Sequence, residues 1–162
     1  RQGNISRHRK NRKWKMALKT LTAEEKRILL ATLKQIYDGT PYFQNLPCQV
    51  ADLNGGEVTI DFPVEQRFCD AKGVAAPGLM MAFCDTLMGF SCRTLGYSVT
   101  TLEINMNYVR HVRAGECIRG VGTVVREGDD TNLTEAVIYD ADGRIVVKGR
   151  ASFYILKKPG EQ

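Results

Sequence analysis

The chain has 162 residues and a formal net charge of +5, a length that suits one ordinary domain able to fold without disulfides or metals. Its five cysteines lack the paired spacing of zinc sites, and His8 and His111 are the only histidines that could join them. Composition therefore argues against a metal site. The odd cysteine count fits a reducing compartment, so we expect a cytoplasmic protein.

The positive charge belongs to the N-terminus. Residues 1–15 hold seven of the 23 Lys and Arg and no acid, and the rest of the chain has 16 basic against 18 acidic residues. This arm has too few apolar groups to fold alone, so we expect it to be disordered and to be leader sequence. A nucleic-acid-binding arm and a transit peptide are the alternatives. We expect residues 16–162 to form one domain, with no membrane or nucleic acid as partner.

A helix is predicted over about residues 22–38. Thr22 and Glu25 have the spacing of a capping box, in which each side chain bonds the other residue's backbone amide. Leu29, Leu33 and Ile36 then recur on one face, and the run at 38–41, with its glycine and proline, ends the helix.

Period-two alternation predicts strands on both sides of the central segment. Residues 48–53 and 57–64 flank a turn of Asn and Gly, which indicates a hairpin. After the centre, Leu102, Ile104, Met106 and Tyr108 share one face, which indicates a strand with one buried side. Strands at 118–126, 133–139 and 144–156 follow across short turns, so the economical prediction is a four-stranded meander.

The central segment, residues 74–90, is apolar on every side except for one carboxylate, Asp85. Seventeen residues exceed a likely strand length, and an aspartate at the centre would be costly in a membrane. We therefore predict a buried helix over about 75–95, begun by Pro77 and ended by Gly96. Cys84 and Cys92 should be core residues on it, and the antiparallel sheet should wrap around it.

This order of elements, and the sequence itself, resemble a known family. The runs CDAKGVAAPGLMMAFCDTLMGFS (69–91) and TTLEINMNYVRHVRAGE (100–116) resemble the hotdog-fold acyl-CoA thioesterases of the phenylacetate-degradation type. The resemblance covers about residues 45–156. It implies an α+β hotdog fold, here with an extra N-terminal helix, and a homodimer or homotetramer with its site between subunits.

The resemblance also implies site residues. Asp85 falls on the family's catalytic carboxylate, a general base or nucleophile toward the thioester carbonyl. Gly73 and Gly78 match glycines of the loop and helix start. Thr101 falls where some members use serine to hold water; the alternative is an ordinary strand residue. Three positions depart from the family pattern: its loop Asn is Asp70, its His is Ala76 and the following Gly is Pro77.

These departures bear on the oxyanion donor. In the resembling enzymes the amide at the position of Pro77 is the main donor, and proline has no N–H. Losing one such donor typically costs about 2.7–4 kcal/mol of transition-state stabilisation. The amides of Gly78 or Leu79 at the helix start could replace it.

Other candidate residues keep two interpretations each. Asp85 is either this functional group or a structural aspartate bonded to backbone amides. Asp70 is either an exposed loop residue or a second carboxylate that reaches the pocket across a dimer interface. Arg113 and Arg150 are candidates for coenzyme A phosphates, because guanidinium groups bind phosphate bidentately and the resemblance places both residues at strand ends and edges.

The predicted function is hydrolysis of acyl-CoA thioesters through Asp85, with coenzyme A as part of the substrate and no other cofactor. Ala76 and Pro77 suggest an alternative, a weakly active or inactive acyl-thioester binding protein on the same scaffold. A hotdog dehydratase would need a catalytic histidine, and the central helix has none.

Overall fold

A computed structural model describes residues 18–161, so the predicted basic arm lies outside the described residues. The described residues form two helices and six strands, with single 3₁₀ turns at Phe43–Asn45 and Gln66–Phe68. In chain order these elements are α1 Ala23–Gly39, β1 Gln49–Asn54, β2 Glu57–Pro63, α2 Pro77–Arg93, β3 Ser98–Tyr108, β4 Cys117–Arg126, β5 Thr131–Tyr139 and β6 Ile145–Lys157.

Helix α1 begins at the predicted capping box. The Thr22 hydroxyl accepts from the Glu25 amide at 3.2 Å, and the Glu25 carboxylate accepts from the Thr22 amide at 2.8 Å. Leu33 is buried, with Leu29 and Ile36 packed beside it against the core. The predicted helix and its apolar face are confirmed.

The six strands form one antiparallel sheet in the order β1-β2-β4-β5-β6-β3. The predicted four-stranded meander is therefore wrong, because only β4, β5 and β6 follow one another in space. β3 pairs with β6 along its length, and β4 pairs with β2. The segment 109–116 makes this possible, since it carries the chain from one edge strand to the middle of the sheet.

Helix α2 packs against the sheet, closest to β4. Two glycines of β4 permit this approach: a Cβ on Gly122 would lie 2.3 Å from the Leu87 carbonyl oxygen, and one on Gly120 would lie 2.3 Å from the Leu87 side chain. Phe83 and Leu87 are fully buried there, and Cys84 and Cys92 are core residues as predicted. Among the helices within residues 18–161, none is long and apolar enough to span a membrane.

The predicted packing of the central helix on the curved sheet is confirmed, and one face of α2 stays partly open among residues 18–161. Asp85 and Gly89 are only half-buried, and Gly78 and Met81 are exposed. The buried face predicted for β3 is wrong in part. A bulge between Thr101 and Glu103 displaces Leu102, which is 60% exposed.

Tyr108, at the other end of that face, is also exposed, and only Ile104 and Met106 pack against the core. β3 is an edge strand, so no further strand of the described chain covers it. The long helix on a curved antiparallel sheet, with an added N-terminal helix, is the predicted hotdog fold.

Candidate active site

Asp85 and Thr101 are brought together by the packing of α2 on β3. The Thr101 hydroxyl donates to Oδ1 of Asp85 at 2.7 Å. The donor to this carboxylate is therefore a side-chain hydroxyl of the neighbouring strand. Sixteen residues separate the two in sequence, so only the tertiary fold joins them.

The pair borders a cavity of about 200 Å³ between α1, α2 and β3. Its walls are mostly apolar, and its polar groups include Asp85, Thr101 and Arg93. Pockets that enclose drug-sized ligands typically measure about 300–1,000 Å³, so this space suits a small group. The apolar side chains that line it are Ile36, Phe43, Phe90, Val99 and Phe153.

The start of α2 presents one unused backbone donor. Ala76 is the N-cap, and its own amide donates to the Phe68 carbonyl at 3.0 Å. The Leu79 amide donates to the Ala76 carbonyl at 3.0 Å. Pro77 has no amide hydrogen. Within residues 18–161, the Gly78 N–H has no acceptor, so of the two predicted replacement donors Gly78 is the one left available.

Gly78 and Asp85 lie on the same side of α2. Seven residues correspond to almost two full turns, so the two positions are separated by about 10 Å along the helix axis. Gly78 is exposed, with nothing within 4 Å of where a side chain would start. Both residues therefore lie on the partly open side of α2, where Gly78 is exposed and Asp85 is half-buried.

Asp70 lies in an exposed loop before α2 and does not line the Asp85 cavity. Its Oδ1 accepts from the amides of Lys72 at 2.8 Å and Val74 at 3.0 Å. These bonds lower the pKa of the Asp70 carboxyl below its ordinary value. Gly73 completes the turn in the left-handed region, with φ of 73°. Within one chain, Asp70 is a loop-closing group.

The two candidate phosphate ligands occupy different surroundings. Arg113 lies beside the loop that precedes α2, where its guanidinium donates to the Lys72 carbonyl at 3.3 Å. Arg150 is exposed in the middle of β6, an interior strand of the sheet, near Glu103 and Glu135. The predicted place of Arg150 at a strand end or edge is therefore wrong.

Sequence reasoning missed three residues around Asp85. Tyr42 lies near enough that, after burial, the Asp85 charge raises the pKa of the Tyr42 phenol. Phe43 packs edge-on against Phe90 with ring centroids 5.4 Å apart. Arg93 lies in the last turn of α2 and lines the cavity. The adjacent aromatic pair after the α1 stop, and the eight-residue spacing from Asp85 to Arg93, were the available signals.

Comparison with known proteins agrees with this architecture. Residues 72–147 match the family model of the thioesterase superfamily. A protein of Saccharolobus solfataricus, "Putative esterase SSO2140", is 27% identical over 117 residues, which are 71% of this chain and 83% of that protein.

Two solved structures share the fold. The E. coli PaaI protein from the phenylacetic acid degradation operon superposes with a TM-score of 0.77 at 13% identity, over 83% of this chain and 97% of that one. A hypothetical thioesterase protein of Streptococcus pneumoniae with coenzyme A gives 0.72 at 21% identity, over 79% and 99%. The predicted resemblance is thus confirmed: the chain has the fold of the hotdog thioesterases and matches the thioesterase superfamily over residues 72–147.

Proposed function

We propose that the protein hydrolyses acyl-CoA thioesters to a free acid and coenzyme A. The observation that carries this proposal is the Asp85 carboxylate, which accepts from Thr101 and lines a small, mostly apolar cavity. The superfamily match over residues 72–147 and the coenzyme A in the S. pneumoniae structure support it.

Asp85 is suited to act as a general base. Because Thr101 donates to Oδ1, that oxygen is fixed and Oδ2 is left to accept a proton from water. The water oxygen bonds to the thioester carbon, and the C–S bond then breaks. The proton held by Asp85 passes to the departing thiolate, which gives coenzyme A and the carboxylic acid. Direct attack by the carboxylate, followed by hydrolysis of the anhydride, uses the same group.

The amide of Gly78 is the proposed oxyanion donor. It lies at the positive end of the α2 dipole and has no acceptor among residues 18–161. A thioester oxygen placed there would accept this N–H as its negative charge develops. Thr101 is a positioning residue, since its hydroxyl is already donated to Asp85.

We further propose that a second copy of the chain completes the site. Asp85 and Gly78 of one helix are about 10 Å apart along its axis, a long span for one carbonyl group. β3 is an edge strand with an open side, and Thr101 lies on it. Pairing of two β3 edges would bring the carboxylate of one protomer beside the helix start of its partner.

Coenzyme A would lie across the loop side of this site. Arg113 is the better placed phosphate ligand, because it contacts the loop at Lys72 just before α2. Asp70, Gly73 and Ala76 shape the same loop and helix start. Arg150 remains a candidate only through a partner chain that covers the outer face of β6.

The test measures release of free thiol from a panel of acyl-CoA thioesters. Asp85→Asn keeps the size of the side chain and an oxygen that can accept from Thr101, but it removes the base. We expect it to lower kcat by at least about 100-fold with unchanged thermal stability. Asp129→Asn, which changes an exposed turn carboxylate, is the matched control and should retain full activity.

A second candidate function rests on Ala76 and Pro77. A chain without the family's histidine and glycine could bind acyl thioesters without cleaving them. Calorimetry with acyl-CoA would then show binding, while wild type and Asp85→Asn would release thiol at the same negligible rate. That pair of results would exclude hydrolysis and leave the binding function.

A further inference from the structure

The cavity beside Asp85 has a second charged group at its other end. Asp85, Gly89 and Arg93 are spaced four residues apart, so they form one stripe along α2, and all three line the cavity. Their spacing separates the two ends of the stripe by about 12 Å along the helix axis. The cavity therefore runs from the proposed reactive carboxylate to a guanidinium.

Arg93 has no protein partner within the part of the chain that the structure describes. Its guanidinium makes no hydrogen bond or ion pair with residues 18–161, although the side chain is about half-buried. Burial lowers the pKa of this guanidinium, and the neighbouring Cys92 thiol opposes the shift only in part. Guanidinium groups removed from water are normally paired with an acceptor, so this one is set up to receive an acceptor from a ligand.

The middle of the stripe is left open by Gly89. A Cβ there would meet nothing closer than the Phe153 ring at 3.8 Å, so the structure has room for a larger residue at this position. Its missing side chain instead leaves a channel between Asp85 and Arg93. Phe43, Phe90 and Phe153 wall this channel with aromatic rings. Such walls suit the methylene groups of an acyl chain.

We propose that the preferred substrate is the coenzyme A thioester of a short dicarboxylic acid, with its free carboxylate bound by Arg93. This rests on the proposed thioesterase function. The thioester carbon lies beside Asp85, the methylene groups cross Gly89, and the distal carboxylate accepts hydrogen bonds from the guanidinium. Arg93 is thus a specificity-determining residue and not a participant in bond cleavage.

Adipyl-CoA and hexanoyl-CoA test this, because their acyl chains have the same number of carbons and differ in the terminal carboxylate. We expect kcat/KM of the wild type to be higher for adipyl-CoA. Arg93→Met should lower the adipyl-CoA value about 10- to 100-fold and leave the hexanoyl-CoA value near that of the wild type. Arg93→Lys should retain part of the preference, since it keeps the charge. The control Arg27→Met, on the exposed face of α1, should change neither value.

A second variant tests the path of the chain. Gly89→Leu retains a good helix former and fills the channel, so both substrates should be cleaved more slowly while the melting temperature is maintained. If Arg93→Met lowers kcat/KM equally for adipyl-CoA and hexanoyl-CoA, Arg93 contacts coenzyme A or only supports the fold. That result, or no preference for adipyl-CoA in the wild type, would overturn the proposal.

Failure of the proposed function can be recognised separately. If the wild type releases no thiol from any acyl-CoA, hydrolysis is excluded, and calorimetry with the two thioesters replaces the kinetic comparison. Tighter binding of adipyl-CoA that is lost in Arg93→Met would still support the Arg93 assignment. Equal affinities would overturn it.

Discussion

At the scale of single residues, we expect Pro77 to limit kcat of the proposed thioester hydrolysis, because it offers no N–H to the oxyanion. It fills the first position of α2 without an N–H, directly before the free amide of Gly78. We expect Pro77→Gly to add a second oxyanion donor and raise kcat by up to about 100-fold. The same change should cost about 0.4–1 kcal/mol of stability, because proline restricts the unfolded chain. Thiol release and urea unfolding measure the two effects.

Pro77→Ala is the matched comparison, since alanine adds the same N–H with a smaller gain in chain freedom. Both variants should be faster than wild type, and Pro77→Ala should be the more stable of the two. Pro63→Ala, at the end of β2, removes a proline elsewhere and should not change the rate. If neither Pro77 variant is faster, the carbonyl oxygen does not lie at the start of α2.

Tyr97 makes stability depend on alkaline pH. Its hydroxyl donates to Glu127 at 2.8 Å, and burial together with Glu127 raises its pKa from 10.0 to about 12. Between these values the folded protein keeps a proton that the unfolded chain has released. This contribution is complete below pH 10 and is lost as pH rises toward 12. Tyr97→Phe should remove it, so its unfolding free energy should fall less steeply over that range.

Urea unfolding of both proteins across this range gives the comparison. The buried cysteines, such as Cys92, also titrate late, with pKa raised to about 12 by burial. They are common to both proteins and cancel in the difference. Tyr154→Phe, on an exposed position of β6, should follow the wild type. Parallel curves for wild type and Tyr97→Phe would show that the bond to Glu127 has no such effect.

At the scale of elements, the contact between α2 and β4 depends on glycine. A Cβ on Gly122 would meet the backbone of Leu87, which cannot move without shifting the helix. A Cβ on Gly120 would meet the flexible end of the Leu87 side chain. We expect Gly122→Ala to cost at least about 3 kcal/mol and Gly120→Ala about 1–3 kcal/mol in unfolding free energy.

Gly39→Ala is the control for these variants, because a Cβ at that helix end meets nothing within 4 Å. Its stability should equal or slightly exceed that of the wild type. A Gly122→Ala protein as stable as Gly120→Ala would mean that the backbones of α2 and β4 are further apart than this packing requires.

The elements with local signals were the predictable ones. The capping box at Thr22, the turn at 54–56 and the apolar run around Asp85 each fixed an element to within a few residues. The bulge at Leu102 was not predictable, because period-two counting assumes that no residue is added to the strand. The partly open side of α2 was not predictable either, because the segment is apolar on every side and its sequence does not indicate which side the sheet leaves uncovered.

At the scale of the whole molecule, the features that the sequence did not predict depend on contacts between residues far apart in the chain, above all the pairing of β3 with β6. Short connections favour pairing between neighbours in sequence, which predicts β3 beside β4, yet β3 pairs with β6 at the edge of the sheet. The composition of the site likewise depends on contacts between elements that are distant in sequence. Asp85 and Thr101 became candidates through the family resemblance, whereas Phe43 and Arg93 enter the cavity only because α1 and β3 lie against α2.

The open edge of β3 is where we expect two copies of the chain to pair. Leu102 is 60% exposed in the β3 bulge, next to Thr101. If two β3 edges pair in the dimer, a lysine there places charges on both sides of the new interface. We expect Leu102→Lys to form a monomer in light scattering and to lose thioesterase activity, because each Asp85 then lacks a partner's helix start. Leu156→Lys is the control: it changes a leucine of similar exposure, 56%, on an interior strand. It should stay dimeric and active, whereas a fully active Leu102→Lys monomer would show that one chain holds the complete site.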